Sequence, residues 1–288
     1  FAKELDLRTK DIQSYVKRGA TTVAVPPSLL DAPDALAKSV SYLRAAGLED
    51  RAFCPMAVQP APAEWPVLVE KFNAWKTGAS DISLMVSTSG LQPFLPNGVD
   101  IWSVHSQMFE TPNSKVILEH GQQGGKNQVW WFVDHYPSRP YANLFIDYAG
   151  IEHRILFWQA WILGVKGFQY WNTNYAIEEQ DPFTNQLDLT PTNGDGFLIY
   201  PGPDGPRNSI RWEIIRDGIE DYDYLAILAE RLKRAKSAGA GPEVISKGEK
   251  ATNLGQVVPD LMGFSRDSGL LMAKRREIAE AITSLNRY

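Results

Sequence analysis

The chain has 288 residues, 44% of them hydrophobic and 22% charged, with a net charge of −5. That is enough apolar material for one large core or two modest ones, and nothing in it reads as low-complexity or disordered. The acidic balance without a basic patch argues against a nucleic-acid partner, the single Cys54 rules out an intrachain disulfide, and no apolar run approaches the roughly 18 residues that would cross a bilayer.

In chain order, short apolar runs alternate with helical stretches, the βαβ signature of a parallel sheet. A helical pattern over 1–18 leads through Gly19 to a strand over 21–26 and a helix over 33–46, closed by Gly47. The second strand, 51–58, contains Pro55, which demands a bulge or an irregular end. A helix over 63–77 and strands over 81–86 and 99–104 follow, then a helix near 113–120 and a glycine-rich turn at 121–125. The fifth strand covers 129–134, a strong helix 151–163 and the sixth strand 167–171. The loop over 172–208 is long enough to be functional or disordered, and its turns Gly194-Asp195-Gly196 and Tyr200-Pro201-Gly202 favour function. A long amphipathic helix over 211–238 and a last helix over 268–285 complete the chain.

Near-continuously apolar strands alternating with helices fit a (β/α)8, TIM-barrel-like α/β domain. About six parallel strands are visible where a closed barrel needs eight, so the first two βα units are expected upstream of Phe1 or on another chain. Residues 1–288 read as a single partial barrel with C-terminal helices, without a second domain. An open doubly wound sheet is the alternative, but no strand is followed by a Gly-x-Gly-x-x-Gly or Walker-type loop.

The second half carries an ordered series of motifs: Tyr141-Ala142-Asn143-Leu144-Phe145-Ile146-Asp147, Arg154, Phe157-Trp158-Gln159-Ala160-Trp161, Gly164 to Trp171, and Asn174-Tyr175. Gly194 to Gly202, Ser209-Ile210-Arg211, Glu213 and Arg216 to Tyr222 follow. Over 129–228 this series resembles the catalytic domain of glycoside hydrolase family 123. The resemblance implies an eight-stranded barrel, usually preceded by a β-sandwich domain, in an extracellular or periplasmic setting. It implies exo-acting, retaining hydrolysis of β-linked N-acetylgalactosamine. There the sugar's 2-acetamido oxygen attacks its own anomeric carbon, one carboxylate orients the acetamido group, and the adjacent carboxylate is general acid and then base. In the family those two are a consecutive Asp-Glu, usually followed by Pro, at the end of the fourth barrel strand. Here that place reads Val58-Gln59-Pro60. Valine cannot accept a hydrogen bond and glutamine has no proton to give. The chain is therefore either a pocket-retaining, non-catalytic carbohydrate binder or a glycosidase using other carboxylates.

The alternative carboxylates are Glu64, which more naturally opens the following helix, and Asp134, the carboxylate at a strand's C-terminal end, where such barrels hold their sites. Asp134 reads equally as a sugar ligand, a displaced acid or a loop cap. The same face offers His105, His135 and Tyr136, then Trp171, Asn174 and Tyr175, with Asp195 either reaching over the site or simply holding its turn. The nine tryptophans favour a sugar site, because sugars lay their C–H faces on flat rings, although about six are expected in the core. His105 and His135 read more readily as satisfied polar residues. Asp100 reads as buried and structural, and Arg216, Asp217, Glu220 and Asp221 as an ion-pair network at helical spacing. The four histidines stand far apart in sequence without a paired ligand, so no metal is implied, and no motif calls for a cofactor.

Overall fold

The computed structural model describes residues 12–90, 98–175, 183 and 192–288. It divides into two compact units, residues 1–131 and 132–288, with the boundary inside the fifth strand. Most of the helix expected over 1–18 and the centre of the loop expected over 172–208 lie outside the described residues, and 12–17 is helical.

In the first unit, β1 (Val23–Ala24) is followed by α1 (Pro33–Ala45), β2 (Ala52–Val58), α2 (Trp65–Gly78), β3 (Ser83–Thr88), β4 (Ile101–His105), α3 (Ser114–Gln122) and β5 (Gln128–Val133). The strand expected over 21–26 shrinks to Val23–Ala24, and Pro26, which has no N–H, bounds its C-terminal end. The pairings are parallel, with Val23 opposite Ala52, Phe53 opposite Ser83 and Met85 opposite Ile101. The β2–β3 register shifts between Pro55 and Ala57, the irregularity that a proline in mid-strand imposes. All six residues of β3 are buried, as expected of a parallel strand covered on both faces. Its core joins Leu36, Leu43, Phe72 and Trp75 of the helices to Cys54, Leu84 and Val86 of the sheet. Asp100 is buried, as its sequence position suggested, and is held by Lys76 Nζ (2.6 and 2.7 Å) and the Leu84 amide (2.7 Å).

In the second unit, the end of β5 is followed by α4 (Gly150–Ile162), β6 (Gly167–Tyr170), a small antiparallel hairpin of β7 (Ile199–Tyr200) and β8 (Arg207–Asn208), α5 (Ile210–Ser237), α6 (Pro242–Thr252) and α7 (Ser268–Ser284). Ser209 Oγ caps α5 through the Trp212 amide, and Asp267 caps α7 through Gly269 (2.8 Å). Sequence periodicity misses α6, whose buried positions are only Gly248 and Ala251. Gly218 lets α4 and α5 close together, since a Cβ there would run into the Phe157 ring. Asp221 ties α4, α5 and α7 together. It is fully buried and accepts from Arg154 (2.6 and 2.9 Å), Trp158 Nε1 (2.9 Å) and Arg275 Nε (2.6 Å), whereas Arg216 pairs at helical spacing with Asp217 and Glu220 (3.8 Å each) and not with Asp221.

The main sheet runs β1-β2-β3-β4-β5-β6 in strict chain order. A doubly wound sheet reverses direction at a switch point, and this one never does, so the fold is α/β of the partial TIM-barrel kind. Four tryptophans are buried (75, 130, 131 and 158), and Trp65 and Trp102 pack partly buried against the first unit's core.

Candidate functional site

The candidate residues fall into two sets, one in each unit. In the first, β2 ends at Val58, which is 63% exposed. Gln59 follows with φ +50, the one non-glycine residue in the left-handed region among those described, a conformation costing roughly 1 kcal/mol. The strain turns its side chain onto the loop after β3. There Gln59 Oε1 accepts from both the Ser89 amide and the Ser89 hydroxyl, at 2.8 Å each. An amide N–H can only donate, so the oxygen of Gln59 is fixed against Ser89 and its NH2 group is the end left for anything else. Glu64 is exposed, and its carboxylate accepts from the Ala61 amide (2.6 Å), bracing the turn that opens α2. His105 is buried, and its Nδ1 accepts from the Gln107 amide (3.3 Å), capping the short 3-10 turn after β4.

In the second unit, Asp134 follows β5 and accepts from the Tyr136 amide (2.9 Å), with His135 Nδ1 3.6 Å away. The loop carrying Asp134 and the exposed Tyr136 is stapled by the fully buried Asn143. That residue donates to the carbonyls of Asp134 and Pro137, both at 3.0 Å. Beyond β6, Asp195 is 1% exposed and its Oδ1 accepts from Trp171 Nε1 (2.9 Å) and Tyr170 OH (2.8 Å). Burial pushes its carboxyl above the ordinary range, and the nearby Asp134 adds to the rise, against the two hydrogen bonds that favour the charged form. Trp171 remains 43% exposed, and Tyr175 packs against it with ring centroids 5.0 Å apart. Asn174 is exposed and bridges to Phe197 through its backbone. Beside it lies a cavity of about 230 Å³ with Tyr175, Phe197, Tyr200 and Pro206 in its walls.

The structure thus joins Asp195, Trp171 and Tyr175 into one cluster with Asp134 in electrostatic reach. Sequence reasoning named no role for Ser89, Tyr170, Asn143 or Arg211, although the last three stand in the motif series that carries the resemblance. Arg211 is buried at the start of α5 and donates to the carbonyls of Leu144 (2.6 Å), Gly194 (2.7 Å) and Phe197, so it grips the turn that carries Asp195 from both sides. Its place one residue after the start of a long helix was the available signal. For Ser89, 30 residues from Gln59, there was none. Among the described residues no group of three His, Cys, Asp or Glu could hold a metal, and no helix is long and apolar enough to cross a membrane.

Among solved structures, the chain is similar to a family 123 glycoside hydrolase from Clostridium perfringens that was analysed for glycolipid glycan hydrolysis. The TM-score is 0.56 and the identity 16% over 88% of this chain, a likeness of fold. The match covers 44% of that protein, so this chain spans less than half the length of the structure it resembles. No curated protein matches it. The family model described as glycoside hydrolase 123, catalytic domain, matches residues 34–228. That stretch is well over half of the chain and contains every candidate residue described above, and the chain belongs to glycoside hydrolase family 123.

Proposed function

We propose that this chain is a carbohydrate-recognition member of its family. It holds a terminal β-linked N-acetylgalactosamine or related amino sugar and lacks the family's proton transfer at Val58 and Gln59. The observation that carries this reading is the Gln59 amide. With its oxygen occupied by Ser89, the side chain offers N–H donors where the family places a general acid. Such a group hydrogen-bonds a sugar oxygen but cannot protonate a leaving group. Val58, exposed and apolar, cannot orient an acetamido nitrogen. The substrate-assisted route of the family therefore lacks both of its carboxylates at this place. In the second unit, taken by itself, the exposed Trp171 face and the exposed Asn174 edge suit a sugar with an apolar C–H face and a ring of hydroxyls.

A second reading is favoured by one observation. Asp195 is a buried carboxylate whose affinity for a proton is raised, with a second carboxylate, Asp134, nearby. Two acids in different environments are the pattern of a glycosidase acid and its partner. One experiment separates the readings. The full chain is titrated calorimetrically with N-acetylgalactosamine and incubated with an aryl β-N-acetylgalactosaminide. Binding without turnover is expected, and Gln59→Ala should weaken binding roughly three- to tenfold, the worth of one hydrogen bond. Turnover that Asp195→Asn abolishes would replace the first reading with the second. Absence of any binding would overturn both.

A further inference from the structure

Four carboxylates are buried among the described residues: Asp100, Glu152, Asp195 and Asp221. Three of them face cations. Asp100 has Lys76, Glu152 has Arg139 and Arg266, and Asp221 has Arg154 and Arg275. Asp195 forms no salt bridge among the described residues. Its hydrogen-bond partners are one indole N–H and one phenol. A buried carboxylate without a cation is costly, and a fold that needed only a turn here could use a smaller or neutral residue.

The geometry around it is directed at one ring. Tyr170 OH donates to Asp195 Oδ1 and accepts from the Gly196 amide (2.8 Å), so the carboxylate, the phenol and the turn backbone close into a loop of hydrogen bonds. Gly196 sits at φ +79, and a Cβ on it would lie 2.6 Å from Cζ2 of Trp171, so the indole lies directly on the glycine backbone. On another side the ring meets Tyr175. The turn is itself immobilised by Arg211, which holds the Gly194 and Phe197 carbonyls. Trp171 is thus fixed through its nitrogen and one face, yet 43% of it stays open. A tryptophan just past a strand end would otherwise sample several rotamers, and a ligand would have to immobilise it.

We infer that Asp195 is a positioning residue: it clamps the Trp171 indole in place as a preformed stacking platform for the ligand. This inference rests on the carbohydrate reading for the identity of the ligand, while the clamp itself is independent of it. Arg211 grips the same turn, but its donors go to the Leu144, Gly194 and Phe197 carbonyls and the Tyr200 hydroxyl, not to the Asp195 carboxylate.

The test uses the full chain labelled with ¹⁵N at tryptophan, with the Trp171 indole resonance assigned by Trp171→Phe, and compares Asp195→Ala and Asp195→Asn. Asparagine keeps an oxygen that accepts from both donors, whereas alanine keeps none. The expected result is fast solvent exchange of the Trp171 indole proton in Asp195→Ala and slow exchange in the wild type and Asp195→Asn. For N-acetylgalactosamine measured by calorimetry, Asp195→Ala should lose roughly three- to tenfold in affinity, with rescue by Asp195→Asn. In a Trp171→Ala background, Asp195→Ala should cost nothing more. Unchanged indole exchange in Asp195→Ala would overturn the clamp, as would a full affinity loss that persists without Trp171. Protected exchange in a wild type that does not bind the sugar would leave the clamp standing and remove the carbohydrate reading.

Discussion

Acid should weaken the second unit through His153. This residue lies in α4, is 3% exposed, and its ring nitrogen Nε2 donates to the Phe145 carbonyl at 3.0 Å. That bond fixes the neutral tautomer, and Nδ1 is buried without a hydrogen-bond partner among the described residues. Burial drives the pKa from 6.5 down to about 4. The bond to Phe145 and the charge of Glu152 oppose the fall, and the charge of Arg211 adds to it. Because the folded value lies below the unfolded one, the cost is absent above pH 6.5. It grows as pH falls through the window, where the unfolded chain takes up a proton that the native ring refuses. The interval from 6.5 to about 4 is worth roughly 3 kcal/mol. The comparison variant is His153→Gln, which can donate to the same carbonyl but does not titrate. Urea unfolding of both proteins, followed by tryptophan fluorescence at several pH values between 7 and 4, isolates the effect, because the carboxylates common to both cancel in the difference. The wild type should lose about 3 kcal/mol relative to His153→Gln across that range. A difference that stays constant with pH would refute the reasoning. The consequence reaches the candidate site, because Ile146, next to Phe145, donates its amide to Asn193 (3.0 Å) at the foot of the turn carrying Asp195.

Two further outcomes are expected. In Val58→Asp/Gln59→Glu the carboxylate introduced at position 59 would accept the same two bonds from Ser89, which favour its charged form and make it a weak general acid near neutrality. Slow turnover of an aryl β-N-acetylgalactosaminide should appear, and adding Ser89→Ala should move the alkaline limb of its pH–rate profile upward by about one pH unit, the worth of one such bond. A native chain as active as the double variant, or a limb that does not move, would contradict this. Asp221→Ala leaves Arg154, Arg275 and the Trp158 N–H facing an empty acceptor position, and should cost about 3–5 kcal/mol in urea unfolding, with Asp221→Asn losing less. Equal stability of the alanine variant and the wild type would show that the hub does not hold the three helices together.

The fold was largely legible because its signals are local. Buried parallel strands are continuous apolar runs, so β2 to β6 could be found within a few residues, and Pro26 marks the end beyond which β1 does not run. Helical spacing foreshadowed the pairs of Arg216 with Asp217 and Glu220, but the partners of Asp221, Arg154 and Arg275, stand 67 and 54 residues away and could not be read from it. The site was less legible because its geometry is made by distant backbone. Nothing in Val58-Gln59-Pro60 announces a left-handed glutamine, and nothing near Ser89 announces its partner. The sequence singled out Trp171 and Asp195 separately, 24 residues apart, but their hydrogen bond depends on the turn that Arg211 holds from the start of another element.

The buried carboxylates suggest how to tell scaffold from site in such a chain. Where an acid serves the fold, selection can bring cations to it, and the helical or loop positions of Asp100, Glu152 and Asp221 each meet lysine or arginine. That arrangement satisfies the charge and demands nothing of a ligand. Among the described residues Asp195 receives only neutral donors, on rings at the end of β6, and it sits on a turn whose two glycines leave no side chain between it and those rings. Supplying an arginine there would have been the simpler route to stability. Leaving it out keeps the carboxylate's proton affinity high and keeps the indole as its partner, which are properties a ligand site uses and a core does not. Gln59 is the case in the first unit, where the chain tolerates a strained backbone that carries a neutral amide held against Ser89. The two bonds from Ser89 fix the amide oxygen, so its NH2 group is left as the donor that the proposed sugar contact uses.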